Sequence, residues 1–297
     1  MLIPKLGFVG FGEAAASIAL GLYEEGFKDV STYDWSQDNP NHRPLIEKRA
    51  TASCTIIKPN ISKLVEDCDV IISSVTANSA LEVANTVKKH IRNGQFFLDI
   101  NSVSPETKKQ MAIIIEEKGN GSFIEGAVVA AIPPLKHRAP ILICGSHVPK
   151  FIKIMKPYHL KLIDVGRKFG QASATKMFRS IIIKGLEAIL QESMLGASKY
   201  GVADIVLESV EKTQPGIDWK KLTTYLLGRT AIHGKRRVHE MKSASATLRE
   251  LGIDPIMTRA ITERIETAAS SGLNKKFGNL APKDFKEVID VILKNKS

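Results

Sequence analysis

The sequence holds little cysteine. Three thiols, Cys54, Cys68 and Cys144, are spread over 297 residues with no C-x-x-C pair among them. So odd and sparse a set argues against a disulfide framework and against a zinc site, and no metal centre is expected. It reads as reduced, mostly buried thiols in a cytoplasmic protein. Long apolar runs are also missing. The longest candidate, SIIIKGLEAIL, is broken by Lys184 and Glu187, well short of the roughly 20 residues that a membrane span needs. Only MLIP precedes the first lysine and the first apolar run, so the start reads as no export signal. Internal repeats, low-complexity segments, zinc fingers and RNA-binding motifs are absent from the sequence. That last absence bears on the charge, which is +11 from 42 Lys and Arg against 31 Asp and Glu. The basic residues are scattered, so they read as a solvated surface and argue against a nucleic-acid partner. A positive field of this kind suits a small anionic or polar metabolite, dinucleotides and carboxylic acids included.

With 43% hydrophobic residues, the chain can bury a large core, and its length favours two domains. The first half alternates β-rich runs with helical patterns. KLGFVG, DVSTYD, DVIISSV, QFFLDIN, FIEGAV and APILICG read as strands. Helices are expected over 13–25, after Asn78 or Ser79, and near 104–118. Near-continuous apolar strands separated by helices predict an α/β fold with a doubly wound, parallel Rossmann sheet covered on both faces. The β signal stops after residue 166. Helical patterns then run from SATKMFRS to Gly201 and near 203–213, 218–251, 255–271 and 282–295. The expected organisation is a dinucleotide-binding domain over 1–166. An all-helical substrate and dimerisation domain follows over 167–297.

Gly10-Phe11-Gly12-Glu13-Ala14-Ala15 fits G-x-G-x-x-[G/A]. The first glycine makes a tight turn, the second admits a pyrophosphate, and the small third residue lets helix and strand pack closely. The helix N-terminus offers unpaired N–H groups to phosphate. The pattern follows a strand and opens a helix, which gives it meaning. Asp34 ends the next strand, where an acid binds ribose hydroxyls. It would repel a 2′-phosphate, which favours NAD, while Arg43 and nearby lysines leave NADP open. Val75, Thr76 and Asn101, with Ser102, stand at the carboxyl ends of later strands and are expected to face ligand. Asp99 is expected to be a structural acid.

Lys176, Ser180 and Lys184 recur at i, i+4 and i+8, so they share one helix face, with Arg179 beside them. Buried at a cleft, such a lysine loses its proton more easily and becomes a useful proton-transfer group. Exposed, the same stripe is a solvated face with snorkelling lysines. Spacing alone supports both. His233, Arg236, Arg237 and Glu240 fall at i, i+3, i+4 and i+7 of another helix, where paired arginines can grip a carboxylate or phosphate. An inter-helix or dimer salt-bridge network is the other reading. His239 and Met241 read as packing residues.

Taken together, these stretches resemble the β-hydroxyacid dehydrogenase family, which includes 3-hydroxyisobutyrate and 6-phosphogluconate dehydrogenases. GFVGFGEAAASIALGL is similar to its dinucleotide motif. DINSVSP at 99–105 resembles its D-x-S-T-x-S-P segment, and GQASATK, ending at Lys176, resembles its catalytic G-x-x-x-K. FIEGAVVAA at 123–131 falls at its substrate motif D-A-P-V-S-G-G. HGKRRVHEM and LRELGIDPIMTRA resemble a phosphogluconate-dehydrogenase-like branch. The resemblance implies an NAD(P)-dependent oxidoreductase acting on a small hydroxy acid, with Lys176 as general acid/base. It also implies a homodimer built through the helical domain, and substrate contacts are expected at Ser102, Glu125 and Val129 of the matching motifs, at Arg179 and Ser180 where the chain departs from the family, and at His233 and Arg237 of the helix-face cluster. The sequence departs from the family twice. Val129-Ala130-Ala131 replaces the carboxylate-binding Ser-Gly-Gly, and Arg179 and Ser180 replace an asparagine. An imine or keto-acid reductase on the same scaffold, or a non-catalytic dinucleotide sensor, are the rival expectations.

Overall fold

Short apolar stretches set the frame of the first unit. In the computed structural model, which describes residues 3–117 and 119–295, eight strands form one sheet. They are β1 (Leu6–Val9), β2 (Val30–Tyr33), β3 (Ile56–Ile57), β4 (Val70–Ser73), β5 (Phe96–Asp99), β6 (Ser122–Val128), β7 (Ile141–Cys144) and β8 (Leu162–Asp164). The order is β3-β2-β1-β4-β5-β6-β7-β8. β1, β4, β5 and β7 are buried at every position, because helices cover both faces. Alternation along each strand sorts the side chains. Phe96 and Leu98 point into one apolar cluster with α1 (Glu13–Glu24), α2 (Arg43–Ala52) and α6 (Val148–Met155). Phe97 points into the other, with α3 (Ile61–Asp67), α4 (Ala80–Val87) and α5 (Pro105–Ala112). The last turn of α5 widens to a π-helix over Ile113–Glu117.

The sheet departs from the wholly parallel expectation at one pair. β7 runs antiparallel to β6. The link between them carries only a single turn at Lys136–Arg138 and no crossover helix, and a parallel neighbour would need one. β3 and β8 fall outside the expected strands. They are two and three residues long and lie at the sheet edges, where pairing tolerates polar sequence.

The described chain divides into two compact units after Lys176. The division lies inside α7 (Gln171–Lys199), the helix that begins beyond the expected boundary at 167. The second unit continues with α8 (Ala203–Thr213), α9 (Trp219–Glu250), α10 (Ile256–Ala269), α11 (Leu273–Phe277) and α12 (Phe285–Lys294). Leu226, Leu227, Phe285 and Ile289 lie at its core. α9 bends at His233, whose backbone is non-helical at φ −121° and ψ 20°. At the bend, a Cβ on Gly234 would lie 2.5 Å from the Ala269 Cβ. Glycine there lets α9 and α10 approach closely.

Candidate active site

The turn after β1 is shaped by its glycines. Gly10 has φ +85°, and a Cβ there would lie 2.5 Å from the Ser74 carbonyl oxygen, so no other residue fits without strain. At Gly12 a Cβ would meet nothing within 4 Å, which marks an open face at the mouth of α1. The first-turn amides of Glu13, Ala14 and Ala15 have no acceptor within their own helix. Ala15 is fully buried and Glu13 is exposed. An open glycine turn with N–H groups on its rim fits a pyrophosphate.

Phe11 departs from this role. Its side chain is fully buried. Its N–H donates to Asp34 Oδ2 at 2.6 Å and its carbonyl accepts from Arg49 Nη1 at 3.2 Å. That amide holds the acid in place and is not offered to phosphate. Asp34 Oδ1 accepts from Ser36 N at 2.8 Å, and each oxygen keeps a further lone pair for ribose hydroxyls.

The ends of β4 and β5 are tied by Asn101. Its Oδ1 accepts from Val75 N at 2.6 Å, and its Nδ2 donates to Ser73 Oγ at 2.8 Å and Asp99 Oδ1 at 2.5 Å. With its amide spent on these bonds and only 5% exposed, Asn101 is a brace between strands, contrary to the expected cofactor contact. The Val75 amide is engaged in the same brace. Thr76 is exposed and shares a hydrogen bond with Ser79 Oγ at 3.0 Å. Behind them lies an ion pair that the sequence did not disclose. Lys108 and Asp99 are both fully buried and paired. The same ammonium donates to the Asp99 carbonyl at 2.8 Å and the Gly126 carbonyl at 2.9 Å, so it also links β5 to β6.

Glu125 is a second correction. It is fully buried on β6, and its carboxylate accepts from Gly170 N, Ser173 N and Ser173 Oγ. It therefore caps α7, where a negative charge suits the helix N-terminus, and it is not presented to substrate. The Cys144 thiol donates to the same carboxylate at 3.2 Å; burial pushes that thiol up to about 12, with the Glu125 charge adding to the shift. Val129 packs against the buried Ala127, Leu142, Cys144 and Ala172, so its side chain fills space and offers no polar contact. From the capped start of α7, Lys176 Nζ donates to Ser102 Oγ at 3.2 Å. An amine and an exposed hydroxyl thus meet beyond the carboxyl end of β5.

In the second unit, Lys184 is buried and bonds Ser180 Oγ at 2.5 Å and Glu240 Oε2 at 2.6 Å. Burial lowers its pKa, with Glu240 opposing that shift. Arg237 is buried and paired with Glu187, which also accepts from Thr230 Oγ1. Burial brings the Arg237 pKa down to about 10. With its charge matched inside the helical core, Arg237 is not a free substrate grip. Its neighbour Arg236 is exposed and reaches Glu240 at 3.6 Å, so the two arginines face different partners. His233 sits at the bend, which breaks the expected continuous face. Its imidazole is pushed down by burial first, then by Arg229 and Arg236. Arg179 is exposed. Met241 is fully buried as expected, whereas His239 is exposed.

The glycine turn and sheet topology define a dinucleotide-binding α/β protein. Residues 5–146 match the NAD binding domain of 6-phosphogluconate dehydrogenase, and residues 197–268 match a domain of unknown function, DUF1932. The chain belongs to the β-hydroxyacid dehydrogenase family, in the 6-phosphogluconate-dehydrogenase-like branch that carries this second domain. It is 30% identical over 256 residues to the "Uncharacterized 28.5 kDa protein in 7S RNA 5'region" of Methanothermus fervidus, covering 86% of this chain and 95% of that protein. The crystal structure of a conserved hypothetical protein from Sinorhizobium meliloti 1021 is 34% identical, covers 99% of this chain and 97% of its own, and superposes with a TM-score of 0.84. The 3-hydroxyisobutyrate dehydrogenase of Mycobacterium tuberculosis, in a structure with L-serine, has a TM-score of 0.75 at 16% identity, covering 98% and 99% of the two chains. At that identity the likeness is one of fold. Among the described residues no helix is long and apolar enough to cross a membrane, and no cluster of metal-ligating side chains occurs.

Proposed function

We propose that the protein is an NAD(P)-dependent dehydrogenase or reductase that interconverts a small hydroxy acid and its carbonyl form, with Lys176 as general acid/base. The observation that carries this reading is the Lys176 Nζ to Ser102 Oγ hydrogen bond of 3.2 Å beyond β5, where ligands of open α/β sheets bind. Gly10, Gly12 and the amides of Glu13, Ala14 and Ala15 hold the pyrophosphate. Asp34 takes the ribose hydroxyls. Burial raises the pKa of neighbouring Tyr33, with Asp38 and Asp34 adding to it. The Asp34 carboxylate at the end of β2 would repel a 2′-phosphate, which supports NAD over NADP. When bound, the nicotinamide supplies the hydride acceptor or donor. Lys176 takes the substrate hydroxyl proton during oxidation and returns one to the oxygen during reduction, a contribution of about 10²–10⁴-fold. Ser102 orients that oxygen.

Val129, Ala130 and Ala131 provide no side-chain donor, so the acid group of the substrate falls to backbone amides. The same apolar stretch favours, as a second reading, an imine or keto-acid reductase with a less polar substrate. The sparse thiols support a cytoplasmic setting. Incubation with NAD and NADP in turn, across hydroxy acids, keto acids and cyclic imines, tests the reading at the absorbance of the reduced nicotinamide. Turnover of a hydroxy acid is expected; turnover of imines alone favours the second reading. Nucleotide binding without turnover of any class would leave a sensor.

A further inference from the structure

Trp35 is one of two tryptophans in the chain and is 65% exposed. A ring of this size and exposure offers a flat face for stacking. The turn that carries it is well held. Asp34 N donates to Gln37 Oε1 at 3.3 Å, and Gln37 N donates to the Asp34 carbonyl at 3.0 Å. Gln37 Nε2 reaches the Lys58 carbonyl at 3.0 Å. The indole also rests edge-on against Tyr33, with ring centroids 6.4 Å apart and an interplanar angle of 68°. Tyr33 in turn packs on the core. The ring is therefore displayed in a fixed place, the condition under which an exposed aromatic binds with little ordering cost.

That place is set by the sheet. Val9 of β1 is the register partner of Tyr33 of β2. Gly10 N donates to the Tyr33 carbonyl at 2.9 Å, and Phe11 N donates to Asp34 Oδ2 at 2.6 Å. The acid is thus bonded to the phosphate turn, and Trp35 is the residue directly after that acid. We propose that Trp35 is the stacking platform for the adenine ring, so that Asp34 and Trp35 together read the adenosine half of the cofactor. This deepens the dinucleotide reading of the glycine turn and rests on it.

The test uses full-length Trp219→Phe as parent, which leaves Trp35 as the sole tryptophan. ADP-ribose, which carries adenosine and pyrophosphate but no nicotinamide, is titrated while tryptophan emission is followed, and its affinity is measured independently by calorimetry. Saturable quenching with the calorimetric Kd is expected. Trp35→Ala should bind ADP-ribose about 10-fold more weakly, the usual scale for loss of one base-on-aromatic stack. Trp35→Phe should restore most of the affinity, and neither variant should change Tm. Nicotinamide mononucleotide, which lacks adenine, should bind parent and Trp35→Ala alike. Equal ADP-ribose affinity in parent and Trp35→Ala, or saturation without quenching, would overturn the platform while leaving the glycine turn intact. A parent that binds neither ADP-ribose nor NAD would overturn the nucleotide reading and the platform with it.

Discussion

Single side chains divide here into those legible from sequence and those that contact alone reveals. Lys176 draws attention in the sequence because it ends GQASATK, a small-residue stretch at the opening of a helix. Lys108 is not, because a lysine in PETKKQMA looks like any solvated helix residue, and only the fold puts Asp99 beneath it. Glu125 is misread for the related reason that a carboxylate beside a substrate motif resembles a ligand, while its N–H donors come from residues 170 and 173. Leaving one member of a buried ion pair alone is costly. Lys108→Met should lower the urea unfolding free energy by about 3–5 kcal/mol. The double variant Lys108→Met/Asp99→Leu should recover much of that loss, and additive losses would contradict the pairing. Glu25 offers a pH signature. Hydrogen bonds from His159 first and then Arg138 lower its pKa from 4.5 to about 2. A depressed carboxylate stabilises the fold above its unfolded pKa and loses that contribution as pH falls towards its folded value. The wild type should therefore lose stability between pH 4.5 and 2 more steeply than Glu25→Gln. Parallel acid-unfolding curves would refute the assignment.

Among the elements, the long buried strands and the amphipathic helices follow from periodicity, since burial on both faces demands continuous apolar runs. β3 and β8 escape the sequence because edge strands are short and need no apolar pattern. The antiparallel setting of β7 escapes it because strand direction depends on how the chain crosses between strands, which composition does not encode. The bend at His233 is hidden for a similar reason. Helical periodicity continues through it, and only the fold brings Ala269 of α10 against Gly234 beside the bend. Gly234→Ala should force α9 and α10 apart and cost about 1–3 kcal/mol, read as a fall in Tm. An unchanged Tm would mean that the two helices are not in firm contact at this point.

For the whole molecule, a Rossmann sheet with a helical second half is legible because strand and helix signals separate cleanly along the chain. Quaternary structure is not, since it depends on surfaces that no local pattern marks. The helical unit exposes Ile182, Ile189, Tyr225 and Met257, each more than half accessible, and exposed apolar groups of this size suit a partner surface. We therefore expect a homodimer through this unit. Sedimentation should give twice the chain mass at micromolar concentration, and a strict monomer would refute the expectation. The central claim is that the Lys176 amine moves the proton that accompanies hydride transfer. It is tested most directly by comparing Lys176→Ala with wild type, at saturating nicotinamide nucleotide, on the best substrate from the screen. The account predicts an unchanged nucleotide Kd and a kcat lower by about 10²–10⁴-fold. A wild-type kcat in that variant would contradict it.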